Sequence, residues 1–154
     1  ARVTDLPLVA SGGIADGAGV AAALAAGARA VQIGSGFMRC PEAATSQVHR
    51  DALIKPTTTA LTRVFTGRRA RALVNRFMRD YAGLAPSAYP HVHHLTAPLR
   101  AAARSAADPD RINLWAGEAH MLASDESAAA LVCRWSDEAR AALRGALKQG
   151  WAPA

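Results

Sequence analysis

The chain has 154 residues, 51% of them hydrophobic and 19% charged, which excludes disordered and fibrous classes and suits one globular domain. Eighteen Lys and Arg against twelve Asp and Glu give a formal charge of +6, compatible with an anionic partner without choosing among nucleic acid, a membrane surface and a phosphorylated cofactor. Ala and Arg recur evenly along the chain, so the charge reads as a compositional habit. The two cysteines, Cys40 and Cys133, are too few for a disulfide framework. No apolar run approaches the ~20 residues of a membrane span and no signal pattern opens the chain, so it reads as cytoplasmic.

In chain order, Leu6-Pro7-Leu8-Val9-Ala10-Ser11 is a short apolar run ending in Gly12-Gly13, the pattern of a strand buried on both faces of a parallel sheet. Asp16 is a good N-cap for an Ala-rich helix over Gly17–Ala26, which Gly27 stops. A second strand follows over Ala30–Gly34, so residues 6–35 form one βαβ unit. Ser35-Gly36-Phe37-Met38 begins a helix-like turn, and Ser46–Ile54 is a helix stopped before Pro56. Residues 57–65 are β-branched and extended, and Thr66-Gly67 turns the chain. Leu73, Phe77 and Tyr81, at i, i+4, i+8 spacing, predict a helix over Ala70–Tyr81.

Residues 82–94, with Gly83, Pro86 and Pro90, read as a linker. Beyond it the period is helical: Ala97–Ala107, then Glu126–Lys148 capped by Ser124 or Asp125 and ended by Gly150. The chain thus divides into an α/β part over 1–81, a linker over 82–94 and a helical segment over 95–154.

Both strands of the βαβ unit end in glycine: Ser11-Gly12-Gly13-Ile14 and Ile33-Gly34-Ser35-Gly36. Glycine permits a sharp turn and close approach to a ligand, and successive N–H groups form an anion-binding concavity. Two such loops at the same edge of adjacent parallel strands can grip one phosphate, as barrel enzymes do after their last two strands. The alternative is that these glycines only make tight turns.

These residues carry a resemblance. The segments 8–17, 24–28 and 31–37 together are similar to the C-terminal barrel segment of the nitronate monooxygenases, the flavin family also called 2-nitropropane dioxygenase. The resemblance continues through Leu61-Thr62-Arg63-Val64-Phe65-Thr66-Gly67-Arg68-Arg69-Ala70-Arg71, Asn75-Arg76-Phe77, Tyr89-Pro90, residues 95–100 and Leu114-Trp115-Ala116-Gly117. It implies an α/β fold, the C-terminal part of an FMN-dependent (β/α)8 TIM barrel with an appended helical tail, in an enzyme that oxidises alkyl nitronates with dioxygen to a carbonyl compound and nitrite. A complete barrel needs roughly 250 residues, so the chain reads as a piece of one.

By the same resemblance, the backbone of Gly12 and Gly13 and the Gly34-Ser35 turn hold the FMN phosphate. The Ser35 hydroxyl is a further donor where relatives commonly have Thr, and Gln32 sits close to the cofactor. The family's catalytic His belongs to a Gly-rich motif on an earlier strand. His49, His91, His93, His94 and His120 all follow the second strand, so the catalytic residue is expected upstream of this chain. A barrel with another FMN-dependent reaction, such as enoyl reduction, and an inactive remnant are the alternatives.

Other groups have blander readings. The His91-Val92-His93-His94 cluster lacks a Cys, Asp or Glu to complete a metal set and reads as a solvated loop. Glu118 and His120 stand where relatives tend to have Gln-Gly, and read as a solvated pair. Arg63, Arg68, Arg69, Arg71, Arg76 and Arg79 form a basic cluster around a turn and helix, a helix face before a nucleic-acid surface. Cys40 reads as a buried or neutral thiol, and Leu131, Cys133, Trp135 and Leu143 as packing residues.

Overall fold

A computed structural model of the chain describes residues 4–148. They form two compact units, one drawn from residues 4–44 and 122–148, the other from 45–121.

The first unit contains β1 (Val9–Ser11), α1 (Gly17–Ala25) and β2 (Ala30–Gln32), followed by a 3-10 turn over Ser35–Phe37. Asp16 caps α1 by accepting from Gly19 N at 2.7 Å, and Gly27, at φ +102°, ends it. The strands pair in parallel, Val9 with Ala30, Ala10 with Val31 and Ser11 with Gln32. The expected burial on both faces is not seen: Leu8 and Val9 are 38% and 57% exposed. Within the described residues the sheet has only these two strands, and two strands cannot cover each other's faces.

The unit's core comes from its last helix, α5 (Ala128–Lys148). Leu131 and Trp135, one turn apart, are buried with Cys40 against Ile33 and Phe37, and the Phe37 and Trp135 rings meet edge to face at 5.0 Å. Cys133, expected to pack, is exposed, because two residues along a helix from Leu131 is the opposite face. The helix starts later than its expected Ser124 or Asp125 cap. Ser127 Oγ accepts from Ala130 N at 3.2 Å, and the Glu42 carboxylate accepts from Ala128 N at 3.0 Å. The expected Gly150 stop lies outside the described residues.

The second unit holds α2 (Gln47–Leu53), the antiparallel pair β3 (Thr59–Thr62) and β4 (Ala70–Leu73), α3 (Arg76–Tyr81) and α4 (His91–Ser105). The helix predicted over Ala70–Tyr81 is two elements. Residues 70–73 satisfy their backbone groups laterally, with β3 on one side and residues 114–116 on the other, where Leu73 N donates to Leu114 O and Ala72 bridges Trp115. Asn75 then caps α3, accepting from Met78 N at 3.1 Å. That extended stretch at 114–116 also departs from the all-helical reading of the region beyond residue 95.

Residues 91–94, assigned to a linker, are the first turn of α4, with Pro90 in the cap position and Pro98 inside the helix. Proline read as a breaker hid a buried stripe of Val92, Thr96, Arg100 and Ala103. The core gathers on Phe65, fully buried, stacked on Phe77 at 5.1 Å and meeting Trp115 at 5.8 Å. Burying each such ring contributes roughly 2–3 kcal/mol.

Candidate functional site

The parallel register puts both glycine loops at one sheet edge. Gly12-Gly13 follows Ser11, Gly34-Ser35 follows two residues after Gln32, and Ser11 Oγ donates to Gln32 O at 3.0 Å, tying the strand ends together. All five residues expected at the cofactor, Gly12, Gly13, Gln32, Gly34 and Ser35, therefore lie along this edge. Gly12, Gly13, Gln32 and Gly34 are exposed and Ser35 is half-buried.

Gly12 and Gly13 take φ of +98° and +72°, the left-handed region that a Cβ disfavours. A Cβ built on Gly12, Gly13 or Gly34 would touch nothing within 4 Å. The space beside these glycines is open. Gly17 and Gly36 are different: a Cβ on Gly17 would stand 2.2 Å from Glu138 Cβ, and one on Gly36 2.9 Å from the Trp135 ring. Both serve packing, so Gly36 is not part of the cradle.

Charge narrows the site further. The N-terminus of α1 is occupied by carboxylates, with Asp16 on Gly19 N and Glu138 Oε2 accepting from Gly17 N at 3.0 Å. Two negative groups there repel an incoming anion. The two glycine loops, offering backbone N–H groups and the Ser35 hydroxyl, fit a phosphate group.

The other groups resolve into structural roles. His120, read as solvated, is only 3% exposed: its Nδ1 lies 2.8 Å from Leu53 O and its Nε2 3.0 Å from Thr57 O, joining the end of α2 to the chain entering β3. Its neighbour Glu118 is exposed and pairs with Arg71 at 3.0 Å. His93 is helical, its Nδ1 3.2 Å from Arg100 Nη2. Among the described residues no group of three His, Cys, Asp or Glu is arranged to hold a metal. The arginine cluster is not one helix face: Arg71 lies in β4, Arg76 and Arg79 in α3, and Arg63, Arg68 and Arg69 in the turn joining β3 to β4.

His49 escaped the sequence reading. It is half-buried on α2, its Nε2 is enclosed without a partner, and burial holds the imidazole below the usual histidine pKa, opposed by a hydrogen bond with the Trp115 backbone.

Fold and site together define a segment of a (β/α)8 barrel with paired glycine loops at its strand ends. The family model for nitronate monooxygenase matches residues 1–136, and the chain belongs to that family. It is 43% identical over 140 residues to a nitronate monooxygenase of Pseudomonas aeruginosa, covering 88% of this chain and 40% of that one. To a probable nitronate monooxygenase of Staphylococcus aureus it is 39% identical over 131 residues, covering 82% and 37%. Among solved structures, the nitroalkane oxidase of Streptomyces ansochromogenes superposes with a TM-score of 0.91 at 48% identity over 95% of this chain and 42% of that chain. FabK of Thermotoga maritima superposes with a TM-score of 0.80 at 25% identity, covering 96% and 49%. The chain thus spans about two fifths of the length of the curated relatives it matches. Among the described residues, no helix is long and apolar enough to cross a membrane.

Proposed function

We propose that this chain supplies the FMN phosphate-binding part of a flavin-dependent oxidoreductase that oxidises alkyl nitronates with dioxygen, giving a carbonyl compound and nitrite. The observation that carries the reading is the pair of side-by-side loops, one with two successive left-handed glycines, the other opening on Gly34-Ser35, with nothing within 4 Å of where a Cβ would stand on Gly12, Gly13 or Gly34. In this reading the N–H groups around Gly12-Gly13 and Gly34-Ser35 bind the phosphate oxygens, and the Ser35 hydroxyl donates another hydrogen bond. Charge-assisted bonds of this kind contribute about 1.5–3 kcal/mol each. The Ser11 to Gln32 hydrogen bond fixes the spacing of the loops, and the Asp16 and Glu138 carboxylates keep the anion off the end of α1. Gln32, exposed at the same edge, orients the part of the cofactor beyond the phosphate. FMN, when bound, would supply the redox chemistry that links nitronate oxidation to dioxygen.

The base or electrostatic partner of the nitronate belongs to a segment outside this chain, so the 154 residues alone are expected to release no nitrite. The test is oxygen uptake and nitrite release by the protein that carries this chain, supplied with an alkyl nitronate and, separately, an enoyl thioester with a nicotinamide reductant. Nitronate turnover supports the reading. Turnover of the thioester alone would replace it with enoyl reduction on the same phosphate loops; the higher identity to the nitroalkane oxidase, 48% against 25% to FabK, favours the nitronate.

A further inference from the structure

The β3–β4 hairpin ends in two arginines. Thr62 pairs with Ala70 as the last rung of the ladder, so Arg63 and Arg69 leave it side by side. Like charges in such positions repel and cost stability unless something neutralises them. Among the described residues neither guanidinium has a hydrogen bond or ion pair, whereas nearby Arg71 and Arg76 hold Glu118 and Asp80.

The turn that presents them is fixed. Gly67 N and Thr66 N donate to Arg63 O at 2.7 and 3.2 Å, and Thr66 Oγ1 accepts from Arg68 N at 3.2 Å. Gly67 has φ +81°, and a Cβ there would stand 2.6 Å from the Ala88 carbonyl carbon, so the backbone of residue 88 closes against the turn. Two arginines set on facing ends of a fixed turn can converge on one anion.

Arg63 and Arg69 line a cavity of about 320 Å³ with Leu61, Thr62, Ala82 and Ala85. Ala85 also lines a second cavity of about 350 Å³, whose wall includes Phe77, Tyr81, Leu84, Leu95 and Leu99. Leu84 and Leu95 are 74% and 80% exposed, a cost that an apolar occupant would remove. A cationic end and an apolar trough that adjoin at one residue complement a molecule with one charged and one greasy end.

We propose that this unit binds a small amphiphilic anion, an alkyl chain with a carboxylate or phosphate-monoester head. The head lies between Arg63 and Arg69, and the chain lies along the trough from Ala85 past Tyr81 to Leu95 and Leu99. This site uses none of the glycine-loop residues and does not depend on the flavin reading.

The test is an NMR titration of the full 154-residue chain with octyl phosphate, octanoate, inorganic phosphate and octanol, each below any micelle-forming concentration. Octyl phosphate and octanoate are expected to shift the Arg63 and Arg69 side-chain N–H signals together with the Leu84 and Leu95 methyls. They should bind at least about tenfold more tightly than inorganic phosphate or octanol at those signals. Phosphate binding at the glycine loops is read separately from the Gly12 and Gly34 amides. Arg63→Gln with Arg69→Gln should lower octanoate affinity about tenfold or more, while Arg68→Gln, the same charge change outside the cavity, should leave it unchanged. If the double variant does not fold, Arg69→Gln alone, at an exposed position, reads the same loss. The proposal is overturned if octyl phosphate binds these signals no more tightly than inorganic phosphate, or if Arg68→Gln weakens binding as much as the paired changes. Binding only to vesicles of anionic lipid, with none to the free amphiphiles, would also overturn it.

Discussion

The two units use glycine and polar side chains in opposite ways. The unit of residues 45–121 closes on its own core: Phe65, Leu53 and Leu73 are essentially inaccessible, and Asn75, Thr96 and His120 spend their hydrogen bonds on backbone groups. Beside β1 and β2, by contrast, apolar residues stay exposed and three glycines face empty space. Polar groups satisfied by their own chain report on folding. Backbone left open at a strand end keeps its N–H groups accessible to a ligand.

The largest expected effect breaks the closed unit. Asn75 Nδ2 donates to Pro109 O at 2.9 Å and to Ile112 O at 2.8 Å while its Oδ1 caps α3. Asn75→Ala removes the cap and strands two carbonyls, and should cost about 3 kcal/mol in chemical denaturation. Next comes a contrast between two glycines of the other unit. Gly17→Ala drives a methyl into Glu138 and the α5 backbone and should cost about 2 kcal/mol of stability, leaving phosphate affinity unchanged. At Gly13 a Cβ would meet nothing within 4 Å, so Gly13→Val should cost about 1–2 kcal/mol, for its positive φ, yet abolish phosphate binding measured by calorimetry. If both variants changed stability and binding in parallel, the distinction between packing and cradle glycines would fail.

A smaller effect follows from His49. Its folded-state pKa is lowered from 6.5, so the unfolded chain takes up the proton first. The stability due to the neutral ring is fully present above pH 6.5 and is lost as the pH falls below it. Denaturation midpoints should drop with acidification in that window, and drop less in His49→Leu. The smallest effect is at the cysteines. Cys133→Ser should change stability by less than about 0.5 kcal/mol, and a maleimide should label Cys133 in the native state and Cys40 only after unfolding.

Local sequence signals found the βαβ unit because its cues are local: Asp16 caps, Gly27 stops, and the strand runs end in glycine. The glycine loops were legible for the same reason. Residues 70–81 were not, since i, i+4 spacing is shared by a helix and by a strand followed by a helix. Only the lateral partners of Ala70–Leu73, at 59–62 and 114–116, decide between them. Likewise Pro90 reads as part of a linker in sequence, whereas the buried stripe of α4 begins at Val92, directly after it. His120 and the Arg63–Arg69 pair were misjudged because their meaning depends on residues far along the chain. Sequence did not show the packing role of Gly17 and Gly36, since a glycine carries no side chain to show its neighbour.

The most direct test of the phosphate cradle compares FMN with riboflavin, which differ by the phosphate alone, in equilibrium titrations of the chain and of its Gly13→Val variant. FMN is expected to bind at least about tenfold more tightly than riboflavin, with the preference lost in Gly13→Val. Equal affinity for the two flavins, or a preference that survives Gly13→Val, would contradict the assignment of the phosphate to these loops.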